Sequence, residues 1–487
     1  MPGIHAFGGY VPRLRLQRAS AYAATGWFAP GLKGLATGER SFCSWDEDAN
    51  TMGVEAAQDC LASRDRSSVA RVILASTSHT FADRQNSTII KEALNLSDST
   101  AALDISGSKR SATSALIESF YAVEGNAGDT LCIASERSAC RPGSEAEYNS
   151  GHGAASVLVS KEDGCAKLLG THSVSIDFVD HFRSSGERFD YSWEPRWVRE
   201  EGYGKIVVST IRDALNKLSI DAAEIDYFVL GAPMPKVGES VAKSVGIHPA
   251  AVVDGLFGVL GDAGAAQPLI LLSHVLERAK PNQMVMLVGF GGGCDVIVLK
   301  TTDAISHMRP SSGISGYLKN RAPVDNYVKY LAISGLIELE KGMRAELDQK
   351  PILTAHYRER KTVLGLVGGK CSVSGTIQFP KTPISVDQQA RTTYTQEDYP
   401  LADRRARIVT FTADHLTFTP VPPAYYGNIE FEGGGRLMAE IVDVGEEGLD
   451  VGMSLRMVFR IKAIDSRRAF TQYFWKATPD RTSSTTS

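Results

Sequence analysis

Short apolar runs alternate with longer amphipathic stretches over the first 301 residues, a pattern that few fold classes accommodate. The short runs are rich in β-branched and aliphatic residues, which is typical of buried strands. They lie at 71–76, 130–135, 155–160, 227–230 and 284–289. Helical spacing of apolar residues marks the stretches between them, at 51–61, 111–124, 206–218 and 265–279. Strands and helices in alternation predict an α/β fold.

The order of elements repeats weakly within this region. A strand, a Gly- or Ser-rich turn and a helix near 103–124 have a counterpart near 252–279, so two related halves are predicted. The residue pattern changes after residue 301, where β-type segments with Gly and Pro turns become the most frequent. The expected order there is a polar linker with a helix around 324–341 in 302–349, a small β domain at 350–477 and a polar tail at 478–487.

The bulk composition argues against several classes of protein. The 487 residues carry a formal net charge of −4 with dispersed basic residues, so nothing favours nucleic-acid binding. No window approaches the roughly 18 uninterrupted apolar residues of a membrane span, and the first 14 residues lack the pattern of a signal peptide. Seven scattered cysteines do not form a disulfide framework. We therefore expect a cytoplasmic protein without a membrane segment, whose thiols are reduced and buried.

Several motifs of the first 301 residues together resemble those of a known family. In chain order they include "GGYVPRLRL", "WDEDANTMGVEAAQDCL", "LDISGSKRSATSAL", "APMPKVGESVAKSVGI" and "GVLGDAGAAQPLILL". These segments are similar to the 3-hydroxy-3-methylglutaryl-CoA synthase-like proteins of the thiolase superfamily. The resemblance implies a layered α-β-α-β-α fold of two related halves, 1–165 and 166–301. It also implies a homodimer formed through the segment 101–105.

The C-terminal part is similar to the DUF35 proteins, which pair a small zinc ribbon with an OB fold. "GKCSVSGTIQFPKTP" resembles the ribbon, and "FTADHLTFTPVPPAYYGNIEFEGGGRLMAEIVDV" resembles strands of the OB-type β-barrel. Tetrahedral zinc needs four Cys or His ligands in paired spacing. Only Cys371 remains, Ser374 occupies the place of its near partner, and 384–389 offers no second pair. We therefore expect a degenerate zinc ribbon that holds no metal.

The resemblance also places the catalytic positions of the family, and all four are changed. Lys109 occupies the position of the nucleophilic cysteine, and Thr77 that of a glutamate. Gly231 and Asp262 stand in place of a histidine and an asparagine. Because the thiolate that would accept the acyl group is missing, ordinary acyl transfer through cysteine is disfavoured.

Lys109 can be interpreted in two ways. It can form a structural ion pair with Asp262, since a lone buried charge would be costly. It can instead act in chemistry, as a base, an electrophile or a Schiff-base nucleophile toward a ketone. A third possibility is that Ser108 or Ser111 occupies the position. The pairing argument favours the structural pair.

The segment 180–205 replaces the substrate-covering loop of the family and is dense in groups that donate or accept protons. Asp180, His181, Tyr191, Glu201 and Tyr203 are the candidates for acid/base catalysis. The alternative for each single residue is a solvated loop position or an aromatic anchor.

Three basic residues are candidates for binding the phosphates of coenzyme A. The resemblance places Lys236 beside the CoA entrance, and Lys33 and Arg40 in the N-terminal stretch that meets the nucleotide. Charge-assisted hydrogen bonds to phosphate are the physical reason for basic residues there. A solvated surface charge is the alternative for each.

The leading hypothesis is an enzyme that makes or breaks a carbon–carbon bond of an acyl-CoA thioester by aldol or retro-aldol chemistry. This chemistry needs a base and an oxyanion site but no acyl-cysteine. A ketone or aldehyde would be the second substrate, and no metal is needed. The alternatives are an HMG-CoA synthase-like acyltransferase with an altered nucleophile, and a catalytically silent scaffold that binds CoA esters for a thiolase-like partner.

Overall fold

The computed structural model describes residues 2–62, 64–162, 164–345 and 350–481. Their contacts divide the chain into two units. The first comprises Met1–Ser44, Asp48–Thr88 and Ser97–Ser334, and the second comprises Trp45–Glu47, Ile89–Leu96 and Gly335–Ser487. The short segment 45–47 interrupts a motif of the first half, so its assignment to the second unit is not apparent from the sequence.

The strands and helices up to residue 334 alternate much as the apolar pattern predicts. The strands are β1 Gly3–Tyr10, β2 Leu14–Gln17, β3 Glu39–Ser41, β4 Val69–Ala75, β5 Ala101–Ile105, β6 Asp129–Arg137, β7 His152–Ser160, β8 Ala166–Ser175, β9 His181–Phe182, β10 Tyr191–Ser192, β11 Tyr227–Leu230, β12 Met284–Phe290, β13 Gly293–Thr301 and β14 Ala322–Val324. The helices are α1 Arg18–Thr25, α2 Ala49–Leu61, α3 Asn86–Ala93, α4 Ser111–Glu124, α5 Glu145–Asn149, α6 Pro195–Trp197, α7 Val208–Leu218, α8 Val237–Val245, α9 Gln267–Leu276, α10 Gly313–Lys319 and α11 Tyr327–Ile333. A π-helix, Val198–Val207, connects α6 to α7.

The main sheet of the first unit consists of two groups of strands. One group has the order β5-β4-β6-β7-β1 and the other β8-β13-β12-β11. Among the described residues, strand pairing joins the two groups at Gly3 with Lys167 and at Ile4 with Ala166. Helices α4 and α9 contact strands of both groups, while α2 packs on β1 and β7 and α7 packs on β8 and β13. This is the predicted layered fold, with α4 and α9 in the middle layer.

The carboxyl ends of three neighbouring parallel strands lie at one edge of the sheet. β4 pairs in parallel with both β5 and β6, and Ala75 is in register with Ile105 and with Ala134. The residues that follow these strands therefore meet at the same edge. The turn from β5 to α4 carries Lys109 to this edge, which is where open α/β sheets bind ligands.

The segment expected as a linker, 302–349, belongs in large part to the first unit. β14 pairs in parallel with β2, with Ala322 opposite Leu14. The helix expected around 324–341 spans only Tyr327–Ile333, and the Asn326 side chain caps its first turn. A polar composition was misleading here, because short paired elements can carry many polar residues on their exposed faces.

The second unit contains a five-stranded antiparallel sheet that closes on itself. From residue 335 onward, the helices of the second unit are α12 Leu353–Arg358 and α13 Arg360–Val363. The strands of this part are β15 Val367–Cys371, β16 Ile377–Gln378, β17 Gln396–Pro400, β18 Ala406–Asp414, β19 Ala424–Phe431, β20 Arg436–Glu440, β21 Ser454–Asp465 and β22 Phe470–Pro479. The last five of them form the antiparallel sheet. The order is β20-β19-β18-β21-β22, and the amide of Val442, just after β20, donates to the carbonyl of Ala477 on β22 at 2.8 Å. Phe459, Tyr473 and Trp475 fill the interior. The predicted OB-type domain is therefore present.

A three-stranded sheet, β16-β15-β17, holds the residues expected to form the degenerate ribbon. The Sγ of Cys371 lies 3.3 Å from the hydroxyl of Thr392 and 3.2 Å from that of Thr395, and it accepts from the Ser374 amide at 3.4 Å. Thr392 and Thr395 are therefore the residues that lie at Cys371, and they come after the segment 384–389. Among the described residues, no three His, Cys, Asp or Glu side chains are arranged to hold a metal.

Candidate active site

Four of the six catalytic candidates converge at the edge where the parallel strands end. Lys109 lies in the turn before α4, Asp262 in the turn before α9, His181 on β9 and Tyr203 on the π-helix. Burial raises the pKa of Asp262, and the charges of Lys109 and His181 oppose that shift. The negative charge of Asp180 raises the pKa of Asp262 further. We call Lys109, Asp180, His181, Tyr203 and Asp262 the elbow cluster.

Asp180 and His181 form a hydrogen-bonded pair. The Nδ1 atom of His181 lies 2.9 Å from Oδ2 of Asp180, and both side chains are largely buried. Burial acts to raise the pKa of Asp180, but the hydrogen bond with His181 and the charges of His181 and Lys109 outweigh it, so the pKa lies below its ordinary value. The carboxylate stays ionised and orients the imidazole, leaving Nε2 as the nitrogen that can exchange a proton.

Tyr203 contributes a buried phenol to the elbow cluster. Its side chain is 4% exposed, and its ring packs on Phe290 with the centroids 4.7 Å apart. Burial raises its pKa well above 10, and the nearby carboxylates of Asp262 and Asp180 add to the shift. The phenol therefore keeps its proton at neutral pH and can donate it.

The direct ion pair expected between Lys109 and Asp262 is not formed. Within the part of the chain that the structure describes, the two side chains share no hydrogen bond or ion pair, although their charges interact. Asp262 is 7% exposed and its Oδ1 accepts from the Gly264 amide at 3.1 Å. Lys109 is partly exposed. The sequence argument failed because neighbouring turns can bring two charges close without aligning their donor and acceptor atoms.

Of the two serines near Lys109, one is hydrogen-bonded elsewhere and the other is buried. The Ser108 hydroxyl donates to the carbonyl of Gly291, and Ser111 is 2% exposed at the start of α4. Lys109 is thus the residue of this turn whose side chain remains available to the elbow cluster.

A cavity of about 320 Å³ adjoins the elbow cluster. Tyr203 forms part of its wall, and the basic residues Arg199 and Lys236 and the hydroxyls of Ser240 and Ser244 line the rest of its polar surface. Lys236 immediately precedes α8, whose first turn has no side-chain cap. Uncapped amides and two cations favour an anionic ligand.

Comparisons with known proteins show the family to which the chain belongs. Two family models match the chain: the C-terminal region of 3-oxoacyl-[acyl-carrier-protein] synthase III over residues 215–299 and the C-terminal OB-fold domain of ChsH2 over residues 399–460. The hydroxymethylglutaryl-CoA synthase of Aeropyrum pernix is 30% identical over 346 residues, which are 70% of this chain and 96% of that protein. The chain belongs to the hydroxymethylglutaryl-CoA synthase family. The synthase of Archaeoglobus fulgidus is 28% identical over 338 residues, or 68% of this chain and 98% of that protein.

Solved structures with the same fold include relatives of this family. A hydroxymethylglutaryl-CoA synthase in complex with CoA matches with a TM-score of 0.62 and 18% identity, over 72% of this chain and 95% of that one. The 3-oxoacyl-(acyl carrier protein) synthase III of Pseudomonas aeruginosa PAO1 matches with a TM-score of 0.56 and 18% identity, over 62% and 98%. These likenesses establish the thiolase-like fold of the family for the first unit. No helix among the described residues is both long and apolar enough to cross a bilayer.

All seven cysteines of this family member are buried. Burial raises the pKa of Cys60, Cys132, Cys165 and Cys294 to about 12. Cys294 lies near enough to Tyr203 to affect its pKa, yet its thiol is fully buried on β13. A thiolate nucleophile requires the opposite shift.

Two of the catalytic candidates lie outside the elbow cluster. Tyr191 is 58% exposed on β10 and packs against Phe182 and Trp193. Glu201 pairs with Lys205 at 2.6 Å, one helical turn away. The i,i+4 spacing of that pair was visible in the sequence and indicates a surface interaction.

Arg40 is a correction to the expected phosphate site. It is 1% exposed, and its Nη1 donates to the carbonyl of Glu147 at 2.6 Å and to the hydroxyl of Ser150 at 3.0 Å. The guanidinium also lies over the ring of Tyr330. These internal partners leave no surface for a nucleotide. Lys33 is exposed on a 3₁₀ turn, Pro30–Leu35.

Glu136 is the buried carboxylate of this region that sequence reasoning missed. It lies at the end of β6, two residues past Ala134, as Thr77 lies two past Ala75 on the adjacent β4. Its side chain is 1% exposed and accepts hydrogen bonds from Thr77. The available signal was a carboxylate placed at the end of a buried strand.

Proposed function

We propose that the protein is an enzyme that forms or cleaves a carbon–carbon bond of an acyl-CoA thioester by aldol or retro-aldol chemistry, without an acyl-cysteine intermediate. The observation that carries this proposal is the elbow cluster, where an imidazole, an ammonium, a phenol and two carboxylates meet. Cys294, the cysteine that affects the pKa of Tyr203, has a buried thiol whose own pKa is raised to about 12. Membership of an acyl-CoA enzyme family supports the thioester.

In this proposal each group of the cluster has one role. His181, oriented by Asp180, takes the proton from the 3-hydroxyl in the cleavage direction or from the α-carbon in the condensing direction. The Lys109 ammonium stabilises the negative charge on the thioester oxygen of the enolate. Tyr203 returns a proton, because its pKa keeps it protonated at neutral pH. The charge of Asp262 attracts the Lys109 ammonium and holds it near the reacting atoms.

The cavity beside Tyr203 is proposed to take the coenzyme A moiety. Lys236 and Arg199 would contact its phosphates, and Lys33 is kept as a further contact on the surface. A ketone or aldehyde is the proposed second substrate. No step of this chemistry is assigned to a metal.

A panel of acyl-CoA and 3-hydroxyacyl-CoA esters, with and without acetone or aldehydes, tests the proposal by mass spectrometry. Condensation or cleavage products should form with the wild type and be lost in His181→Ala. Tyr191→Phe, outside the elbow cluster, is the matched control and should retain activity. A stable acyl adduct on a cysteine would support the acyltransferase alternative, and binding of esters without turnover would support the silent scaffold.

Borohydride trapping separates the two chemical roles of Lys109. If Lys109 forms a Schiff base, reduction in the presence of a ketone should leave an adduct on it. Our proposal assigns it an electrostatic role, so turnover without a trapped adduct is expected.

We also propose a homodimer formed through β5. This strand is at the edge of the nine-stranded sheet, and Leu103 on it is 40% exposed; an open edge strand readily pairs with another copy. Light scattering should give a mass of two chains for the wild type and of one chain for Leu103→Lys. Leu169→Lys, which alters a residue of similar exposure on the interior strand β8, should remain dimeric.

A further inference from the structure

One carboxylate oxygen of Glu136 accepts two hydrogen bonds, and the other accepts none in the part of the chain that the structure describes. Oε2 accepts from the amide of Thr77 at 2.9 Å and from its hydroxyl at 3.0 Å. Oε1 is buried and forms no hydrogen bond within the described residues. An unpartnered buried carboxylate oxygen is costly, so its retention needs a reason other than stability.

The surroundings of Glu136 connect it to the elbow cluster. Its side chain lies against Gly264, whose amide is bound by Asp262. On the other side, Arg183, two residues after His181, donates to the carbonyl of Thr77 and pairs with Asp190 at 2.8 Å. Thr77 is therefore held between the loop that carries His181 and the carboxylate of Glu136.

Thr77 is the first partly exposed residue after the buried end of β4. Ser76 is fully buried, while Thr77 is partly exposed at the carboxyl edge of β4. The Thr77 hydroxyl donates a hydrogen bond to Glu136. The lone pairs of the Thr77 oxygen can therefore accept a proton from a substrate. This is the geometry of a two-step proton relay.

We infer that Thr77 and Glu136 form a proton relay of the active site, in which Thr77 touches the substrate and Glu136 acts through it. The inference rests on the proposed aldol chemistry. In the cleavage direction, the 3-hydroxyl of a hydroxyacyl-CoA gives its proton to the Thr77 oxygen while Thr77 gives its own to Glu136. The carbon–carbon bond breaks, a ketone or aldehyde leaves, and the electron pair remains as the thioester enolate. The same proton then returns through Thr77 to the α-carbon.

The relay gives Thr77 and Glu136 the two proton transfers that the aldol proposal by itself assigns to His181 and Tyr203. In the relay, His181 and Tyr203 orient and polarise the substrate oxygens by hydrogen bonds. Burial raises the pKa of Glu136, which brings it closer to that of a proton carrier at neutral pH. The nearby Ser78 hydroxyl and the hydrogen bonds from the amide and hydroxyl of Thr77 oppose this shift, and the charge of Arg183 opposes it further.

Four variants test the relay. Thr77→Val removes the hydroxyl at nearly constant volume, and Glu136→Gln keeps the acceptor oxygen but cannot take a proton. Each should lower turnover of the active CoA ester by about 10²–10⁴-fold, the usual contribution of a positioned acid/base group. Thr77→Ser and Glu136→Asp keep the chemistry and should retain most activity.

The double variant Thr77→Val/Glu136→Gln supplies a readout that a structural role would not give. Residues that act as one unit lose activity non-additively, so the double variant should be no slower than either single variant. Glu147→Gln, which alters a buried carboxylate bound to Tyr327 away from the elbow cluster, is the matched control and should keep wild-type turnover.

Two results would overturn the relay while leaving the aldol proposal intact: full activity in Glu136→Gln, or a double variant whose loss is the product of the single losses. If Glu136→Gln does not fold, Thr77→Val and Thr77→Ser decide alone, and equal losses in both would reject the relay. A wild type that neither cleaves any ester nor exchanges α-protons with deuterated solvent would reject the aldol proposal and the relay with it.

Discussion

The two units treat their buried charges differently. In the second unit Arg460 is 1% exposed, and its guanidinium pairs with Glu47 at 3.1 Å and with Asp443 at 3.0 Å. Lys476 is 2% exposed and pairs with two carboxylates, at 3.1 and 2.7 Å. Both Arg460 and Lys476 thus have two anions within ion-pair distance.

In the elbow cluster of the first unit the charges are close but only partly paired. Asp180 is bonded to His181, whereas Lys109 and Asp262 interact without a direct ion pair. Removing charges from water without full pairing costs stability. The difference indicates that Arg460 and Lys476 hold the fold of the second unit, and incomplete pairing in the elbow cluster is what the proposed chemistry requires.

The largest expected effect comes from breaking the pairing in the second unit. Arg460→Met should lower the free energy of unfolding by about 3–5 kcal/mol, because it leaves Glu47 and Asp443 without their cation. Chemical denaturation followed by circular dichroism measures it. Arg407→Met is the control: Arg407 is 67% exposed in its pair with Glu430, so the loss should stay below about 1 kcal/mol. Equal losses in the two variants would refute the comparison.

Asp262→Asn should stabilise the protein at neutral pH by about 1 kcal/mol while reducing turnover, as expected where a functional site is not optimised for stability. The sign follows from the raised pKa of Asp262 in the folded state. Its contribution to stability is fully present below the unfolded pKa of about 4 and is lost as pH rises through the folded value. The difference in free energy of unfolding between Asp262→Asn and the wild type should therefore grow, in favour of the variant, from pH 4 to pH 8. A constant difference across that range would contradict the assignment.

Lys109→Met should cost less than about 1 kcal/mol of stability, because no direct ion pair is broken, while abolishing turnover. Thermal melting and the CoA-ester assay measure the two effects. A direct Lys109–Asp262 pair would instead predict a loss of about 3 kcal/mol, with recovery on replacing both residues by apolar ones. A variant that melts like the wild type and keeps full activity would remove Lys109 from the mechanism.

The smallest expected effect concerns the sheet around Cys371. We predict much less than one zinc per chain by elemental analysis and no change in melting temperature with a chelator. Hydrogen bonds from Ser374, Thr392 and Thr395 lower the pKa of the Cys371 thiol to about 5, so the site is organised by hydroxyl and amide donors. Stoichiometric zinc released together with a loss of stability would overturn this prediction.

Much of the candidate site could be predicted residue by residue, but not its internal geometry. The turn that carries Lys109 and the segment that carries His181 and Tyr203 were recognisable, because they follow strands or replace a known loop. Glu136 was missed, since its importance depends on the register between β4 and β6. Arg40 was misassigned, because nothing local indicates that a basic residue is buried.

The sequence by itself determined the class of fold in both units, because apolar periodicity and turn residues act locally and are repeated many times along the chain. From the sequence resemblance we also predict that Lys109 occupies the position of the family's nucleophilic cysteine. Only the tertiary structure decided which charges meet, that segment 45–47 belongs with the second unit, and that Thr392 and Thr395 lie at Cys371. These outcomes depend on contacts between residues far apart in the chain, whose distances and directions are set by strand register and packing.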